Sequence, residues 1–141
     1  MSRSAVVQSH LEALMQQVLE VEELRVTDSG NINVTTEVAG YTARLRKNRD
    51  EPHIEVYSVA VSGIAADPGL FEALNDANRR LSHCRIFWES EEQVVVAGEL
   101  LGASADVASL SCLCEEVAWV ADHEGPRLAG IFGGRTGEED A

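Results

Sequence analysis

The sequence is poorest in positive charge. Lysine and arginine number 11 against 24 aspartates and glutamates, a net charge of −13 at pH 7. A field of that sign repels nucleic acid and anionic membranes, so neither is expected as a partner. Lys47 is the single lysine, and it sits between Arg46 and Asn48, away from any glycine-rich loop. That removes the P-loop. The three cysteines, Cys84, Cys112 and Cys114, are odd in number and irregular in spacing. They imply no disulfide framework and point to reduced thiols in a cytoplasm. No apolar run reaches the ~18 residues that span a membrane, and the first ten residues lack the apolar stretch of a signal peptide.

Catalytic and metal motifs are missing too. No G-x-G-x-x-G follows a strand pattern, and no G-x-S-x-G nucleophile elbow occurs. His10, His53, His83 and His123 are scattered without metal-ligand spacing, and the H-x-E at His10 has no P-C-x-x-C to complete it. Cys112 and Cys114 fall two apart on a helix pattern, about 200° around its axis, so they do not face each other. His83 and Cys84 are adjacent on a strand pattern and point to opposite faces. The acidic pairs Glu22-Glu23, Glu91-Glu92 and Glu115-Glu116 read as a solvated surface. No catalytic residue, cofactor or metal is expected. An enzyme with a dispersed site would need a cleft holding a strongly perturbed histidine, cysteine or carboxylate.

What remains is the pattern of one small domain over residues 1–134, followed by a polar tail, 135–141, that is acidic at its end and expected to be disordered. Val7, Leu11, Leu14, Met15, Val18 and Leu19 form a helical stripe across residues 4 to about 23. Period-two alternation predicts strands over 31–38 and 41–47, joined by a tight turn at Ala39-Gly40, and a third over about 53–61. Asp67-Pro68 is an N-cap followed by a first-turn proline, opening a helix to about Leu81. Strands over 84–89 and 93–100 precede a last helix, capped by Ser104 and running to about His123, where Gly125-Pro126 breaks or kinks it. The order helix, three strands, helix, two strands, helix, with short links between strands, predicts an α+β fold with one mostly antiparallel sheet packed by helices.

Two features stand out. Arg44, Arg46, Lys47 and Arg49 gather four of the eleven cations in an edge-like segment, read as a charged strand face, an anchor for an acidic segment, or an internal match for the acidic helices. Ile86, Phe87 and Trp88 are consecutive, so both faces of that strand are apolar and both need cover. A second copy of the chain is the expected second cover, with Leu70, Phe71, Leu74, Ile86 and Trp88 as the candidate dimer interface.

The segment Leu74-Asn75-Asp76-Ala77-Asn78-Arg79-Arg80-Leu81 resembles the "LN-x-x-N" helix of YbjN-type domains. It runs into Cys84-Arg85-Ile86-Phe87-Trp88, an acidic turn, and Val94 to Leu100. The end, Ala121 to Pro126 and Phe132-Gly133-Gly134, is similar as well. The chain, over residues 11 to 134, thus resembles the fold shared by YbjN-type domains and type III secretion chaperones. The resemblance implies a non-enzymatic, homodimeric, cytoplasmic domain that holds an unidentified client protein or peptide segment extended along its surface. On that reading the segment lies over the first helix and first three strands, with Leu11, Met15, Val18 and Ile32 as candidate contacts. A small-ligand sensor is the alternative, and it requires an enclosed pocket with a few convergent polar groups.

Overall fold

The computed structural model describes residues 2–47 and 50–137. Its elements are α1 (Arg3–Leu19), β1 (Ile32–Val34), β2 (Tyr41–Arg46), β3 (His53–Ser62), α2 (Pro68–Asn78), β4 (Arg85–Glu89), β5 (Gln93–Leu101), a 3-10 turn (Gly102–Ser104) and α3 (Val107–Phe132). The strands form one antiparallel sheet in the order β1-β2-β3-β5-β4, and the fold is α+β as the pattern predicts.

Local chemistry sets the helix ends. Ser2 caps α1, its hydroxyl accepting from the Ala5 amide at 3.1 Å, and Glu20 ends it in the left-handed conformation, φ 55°. Asp67 caps α2 by accepting from the Gly69 and Leu70 amides, with Pro68 at the start. Alternation along the strands then places Ile32, Ala43, Val56, Ile86 and Val96 on the face toward the helices. α3 lies against β3 and β5, α1 sits beside it over β2, and α2 packs at β4. Leu11, Met15, Leu70, Leu110, Leu113 and Leu128 close one core between them.

Three expectations are corrected. The predicted strand over 31–38 is only three residues long, and no tight turn follows it. Val34 pairs with Tyr41, so six residues form the connection. They leave the sheet because Asp122 of α3 captures them. Its Oδ1 accepts from the Thr36 hydroxyl at 2.8 Å, the Ala39 amide at 2.9 Å and the Val38 amide at 3.3 Å. Gly40, at φ 74°, turns the chain back into β2 while its amide donates to Thr36 Oγ1.

The second correction is α3, which runs unbroken through Gly125-Pro126 to Phe132 and is capped by Asp106, not Ser104. Pro126 forfeits one helical hydrogen bond, but buried Val120, Ala121 and Leu128 hold the turns on both sides of it to the core. Gly125 is there for packing. A Cβ at this position would stand 2.8 Å from the Ala60 carbonyl oxygen, at the bulge in β3, so only glycine lets the helix approach the sheet so closely.

Third, the basic segment is not at an edge. β2 is an interior strand, and Arg44 and Arg46 lie on the sheet face away from the core. Arg44 contacts Glu55 at 2.8 Å, and Arg46 bridges Glu55 and Glu99, each at 3.4 Å. The match is therefore internal, but to glutamates of β3 and β5 and not to the helices. Arg49 lies outside the described residues. At the C-terminus, Arg135, the first residue assigned to the tail, forms a two-way backbone bridge with Ser62 at 2.8 Å; residues 138–141 lie outside the described part.

Asp122→Ala leaves the Val38 and Ala39 amides without their acceptor and should destabilise the chain by about 2–3 kcal/mol. Urea denaturation measures this, and a loss under about 0.5 kcal/mol would show that the loop is held by other means.

Candidate functional site

The candidate contacts and interface residues divide by burial. Leu11, Met15 and Ile32 are buried in the core and offer no surface to a bound segment in this fold; Val18 is half-buried against them. Leu11, Met15 and Val18 lie on the inward face of α1 and Ile32 on the inward face of β1, and periodicity alone does not distinguish a face that packs internally from one that binds. Of the interface set, Leu70, Leu74 and Ile86 are buried, Trp88 is half-buried and Phe71 is 45% exposed. Phe71 meets Trp88 edge-on, with centroids 5.9 Å apart. The Trp88 indole N–H donates to the Ile64 carbonyl at 2.8 Å, so this ring is anchored within its own chain.

On the face of β4 predicted to need a second cover, the chain places a cation of its own. Phe87 faces the side of the sheet away from the core, with the Arg85 guanidinium 5.2 Å from its ring centre. Arg44 covers Tyr57 in the same way at 4.4 Å. Asn78, from the "LN-x-x-N" segment, closes the outer edge of β4. Its side-chain amide donates to the Ile86 carbonyl and its oxygen accepts from the Ile86 amide, both at 2.8 Å. That pair imitates a neighbouring strand and occupies backbone groups that an edge otherwise exposes.

Two of the open grooves on the surface differ in lining, one beside α1 and one on the sheet. The larger, of about 550 Å³, lies between α1 and the 3-10 turn and is lined mainly by apolar surface from Val6, Val7, Gly102 and Ala103. Val6 is 52% exposed there, and the Arg3–Glu51 ion pair at 2.5 Å joins two residues of the lining. His10 reaches across, its Nε2 at 2.8 Å from the Ala105 carbonyl oxygen, which makes Nε2 the protonated nitrogen while that contact holds. A second groove of about 420 Å³, at the ends of β2 and β3, is more hydroxylic, with Thr42, Tyr57, Ser58 and Ser62 in its lining. Sequence reading missed Val6 because it falls off the apolar stripe of α1, and a lone exposed valine carries no periodic signal.

Titratable groups are engaged structurally. Burial opposes the charge of Glu116, yet the His83 and Ser82 amides and the Cys84 thiol and amide donate to it and hold its carboxyl below the ordinary range. Burial pushes the Cys84 thiol up, reinforced by Glu116. Burial also raises Cys114 to about 11, against a hydrogen bond from Tyr41. Both thiols are protonated at neutral pH, so neither is an activated nucleophile. Cys112 is exposed and Cys114 buried, as their separation around the helix requires. Among the described residues no helix is long and apolar enough to cross a membrane.

One sheet with its helices gathered on a single face, bearing open apolar grooves, describes a binding domain. The chain belongs to the family of type III secretion (YopN, CesT) and YbjN peptide-binding chaperones, whose model matches residues 5–140. Solved structures with the same fold include a chain of the ExsC–ExsE complex, with 17% identity, a TM-score of 0.59 and coverage of 87% of this chain and 96% of that one. The structure of the Yersinia pestis type III secretion chaperone SycH with a stable fragment of YscM2 matches at 14% identity and TM-score 0.60, covering 82% and 97%. The HopA1–SchA chaperone–effector complex matches at 10% and 0.66, covering 86% and 95%. No curated protein sequence matches the chain.

The Glu116 contacts set a pH dependence. Because its carboxyl is depressed in the folded chain, the unfolded chain takes up the proton first as pH is lowered, so the stability this group contributes is lost as pH falls. The advantage of the native chain over Glu116→Gln should be complete above about pH 5 and shrink as pH drops below about 4.3. Urea midpoints of both chains from pH 7 to 3 test this; a constant difference would contradict it.

Proposed function

We propose that this chain is a non-enzymatic, peptide-binding chaperone that works as a homodimer in the cytoplasm, holding a client segment extended along α1 and the neighbouring strands. The observation that carries the reading is the open apolar groove beside α1, with Val6 exposed at its wall. An extended segment lies in a groove of this kind, whereas a small-ligand sensor would enclose its ligand. The client contacts then come from Val6 and its neighbours, not from Leu11, Met15 or Ile32. The similar solved structures are of complexes, ExsC with ExsE, SycH with a fragment of YscM2, and HopA1 with SchA, which supports a protein client here. The protonated thiols and the carboxylates already committed to backbone amides support a binding role over a catalytic one.

Phe71, with the exposed part of Trp88, is the surface that supports a homodimer. Leu70, Leu74 and Ile86 back it from within the core. Phe71 gives the cleaner test because, unlike Trp88, it is not hydrogen-bonded into the fold. Light scattering on size-exclusion chromatography should return twice the chain mass for the native protein and a single chain mass for Phe71→Glu, with little change in melting temperature. A native monomer would remove the dimer. For the groove, immobilised native chain and Val6→Glu are compared on one cell extract. A protein retained by the first and lost by the second is the expected result, and equal retention would sink the α1 groove as the client site.

A further inference from the structure

Trp119 is 57% exposed at the centre of the outer face of α3. His123, one turn on, stacks on one face of its indole, with centroids 4.4 Å apart and planes 15° from parallel, and is fixed there by a 2.8 Å contact from its Nδ1 to the Trp119 carbonyl. Side chains on a helix lean toward its N-terminus. The other face of the indole is therefore a wall of the next groove along, a concavity of about 430 Å³ lined by His83, Cys112, Glu115, Glu116 and Trp119. Two carboxylates thus stand beside an open aromatic face. Glu116 is held rigid by the amides of Ser82, His83 and Cys84, so its charge is fixed in place, while Glu115 is exposed and able to move.

Elsewhere the chain covers its exposed-side rings with its own arginines, Arg44 over Tyr57 and Arg85 over Phe87. No described cation covers Trp119. Arg80 lines an adjoining groove that shares Trp119 and Glu116, and its guanidinium donates to the Asp76 carbonyl at 3.4 Å. That second groove, of about 300 Å³, has Ala77, Leu81 and Val120 among its lining residues. An indole face next to carboxylates suits a guanidinium, which stacks on the ring while its N–H groups reach the oxygens.

We propose that the groove between Trp119 and Glu115–Glu116 receives an arginine side chain of a client segment, with an adjacent aliphatic residue of that segment seated over the half-buried Leu81 in the adjoining groove. This rests on the peptide-binding reading and adds a second contact area, on a different face from the α1 groove. Charge complementarity selects the occupant. A basic segment meets carboxylates here on a chain of net charge −13, whereas a second copy would bring further acidic surface.

The test uses the full chain labelled with nitrogen-15 and two short capped peptides, Ac-Ala-Leu-Arg-Ala-amide and its citrulline counterpart, which keeps the shape and loses the charge. Only two tryptophans contribute indole N–H signals. The Trp119 signal and the amides of Glu115 and Glu116 should shift with the arginine peptide, and the Trp88 signal should stay. Citrulline should weaken binding by about five-fold or more. Trp119→Ala should abolish the shifts with an unchanged melting temperature. Equal binding of both peptides, or no shift at millimolar peptide, would overturn the site. Shifts confined to residues around Val6 would also overturn it, while leaving peptide binding at α1 standing. So would a fall in native mass on Trp119→Ala, which would assign this face to a second copy.

Discussion

A single carboxylate oxygen, Oδ1 of Asp122, ties the first strand connection to the last helix. It gathers the Thr36 hydroxyl and the Val38 and Ala39 amides, and through Thr36 it reaches the Gly40 amide. Ser58 of β3 closes the circuit by donating to the Gly40 carbonyl at 2.6 Å. Backbone groups that would otherwise need a ladder partner are satisfied by side chains. This fixes where β2 begins, hence its register on β3, and hence which side chains of the sheet face the helices. Glu116 does the same for the link between α2 and β4, accepting from three successive amides. Two acidic residues of α3 thus hold two irregular segments of the chain, and part of its large acidic excess has a structural use.

With all helices on one face of the sheet, the other face has to manage its own exposure. It does so with long side chains: Arg44 and Arg46 on Glu55 and Glu99, and arginines over Tyr57 and Phe87. Glu55 is buried beneath this layer. Such pairs contribute modestly to stability, but they cover apolar stems and leave no broad sticky face. Large exposed apolar side chains on the helices are Val6, Phe71, Trp119 and Ile131, with Val21, Val26 and Leu101 exposed elsewhere.

Much of the fold is legible in the residues. The helical stripe of α1, the Asp67-Pro68 start of α2 and the alternation in β2 and β3 are local signals, and each governs only its neighbours in the chain. Gly125-Pro126 shows the limit of such signals. Locally it is a breaker, but its glycine answers a close approach to Ala60, 65 residues earlier. Asp122 is similar: in the sequence it is one more acidic residue near the end of a helix, and nothing nearby reveals the loop it holds. The burial of three candidate contacts has the same origin. Apolar periodicity marks the hidden face of a helix or strand, so it led to Leu11 and Met15 on α1 and Ile32 on β1, while the exposed Val6 and Trp119 lie outside any stripe.

By itself, the sequence determined the class of fold, the order and approximate extent of its elements, the absence of familiar catalytic motifs and the family resemblance. These follow from composition and short-range periodicity, which act over one or two turns or a single strand. Only the tertiary structure decided which apolar residues remain exposed, where the arginines find their glutamates, and which carboxylates are spent on backbone amides. Those outcomes depend on contacts between residues tens of positions apart, such as Thr36 with Asp122 and Cys84 with Glu116. Their partners become known only once the sheet and helices have packed.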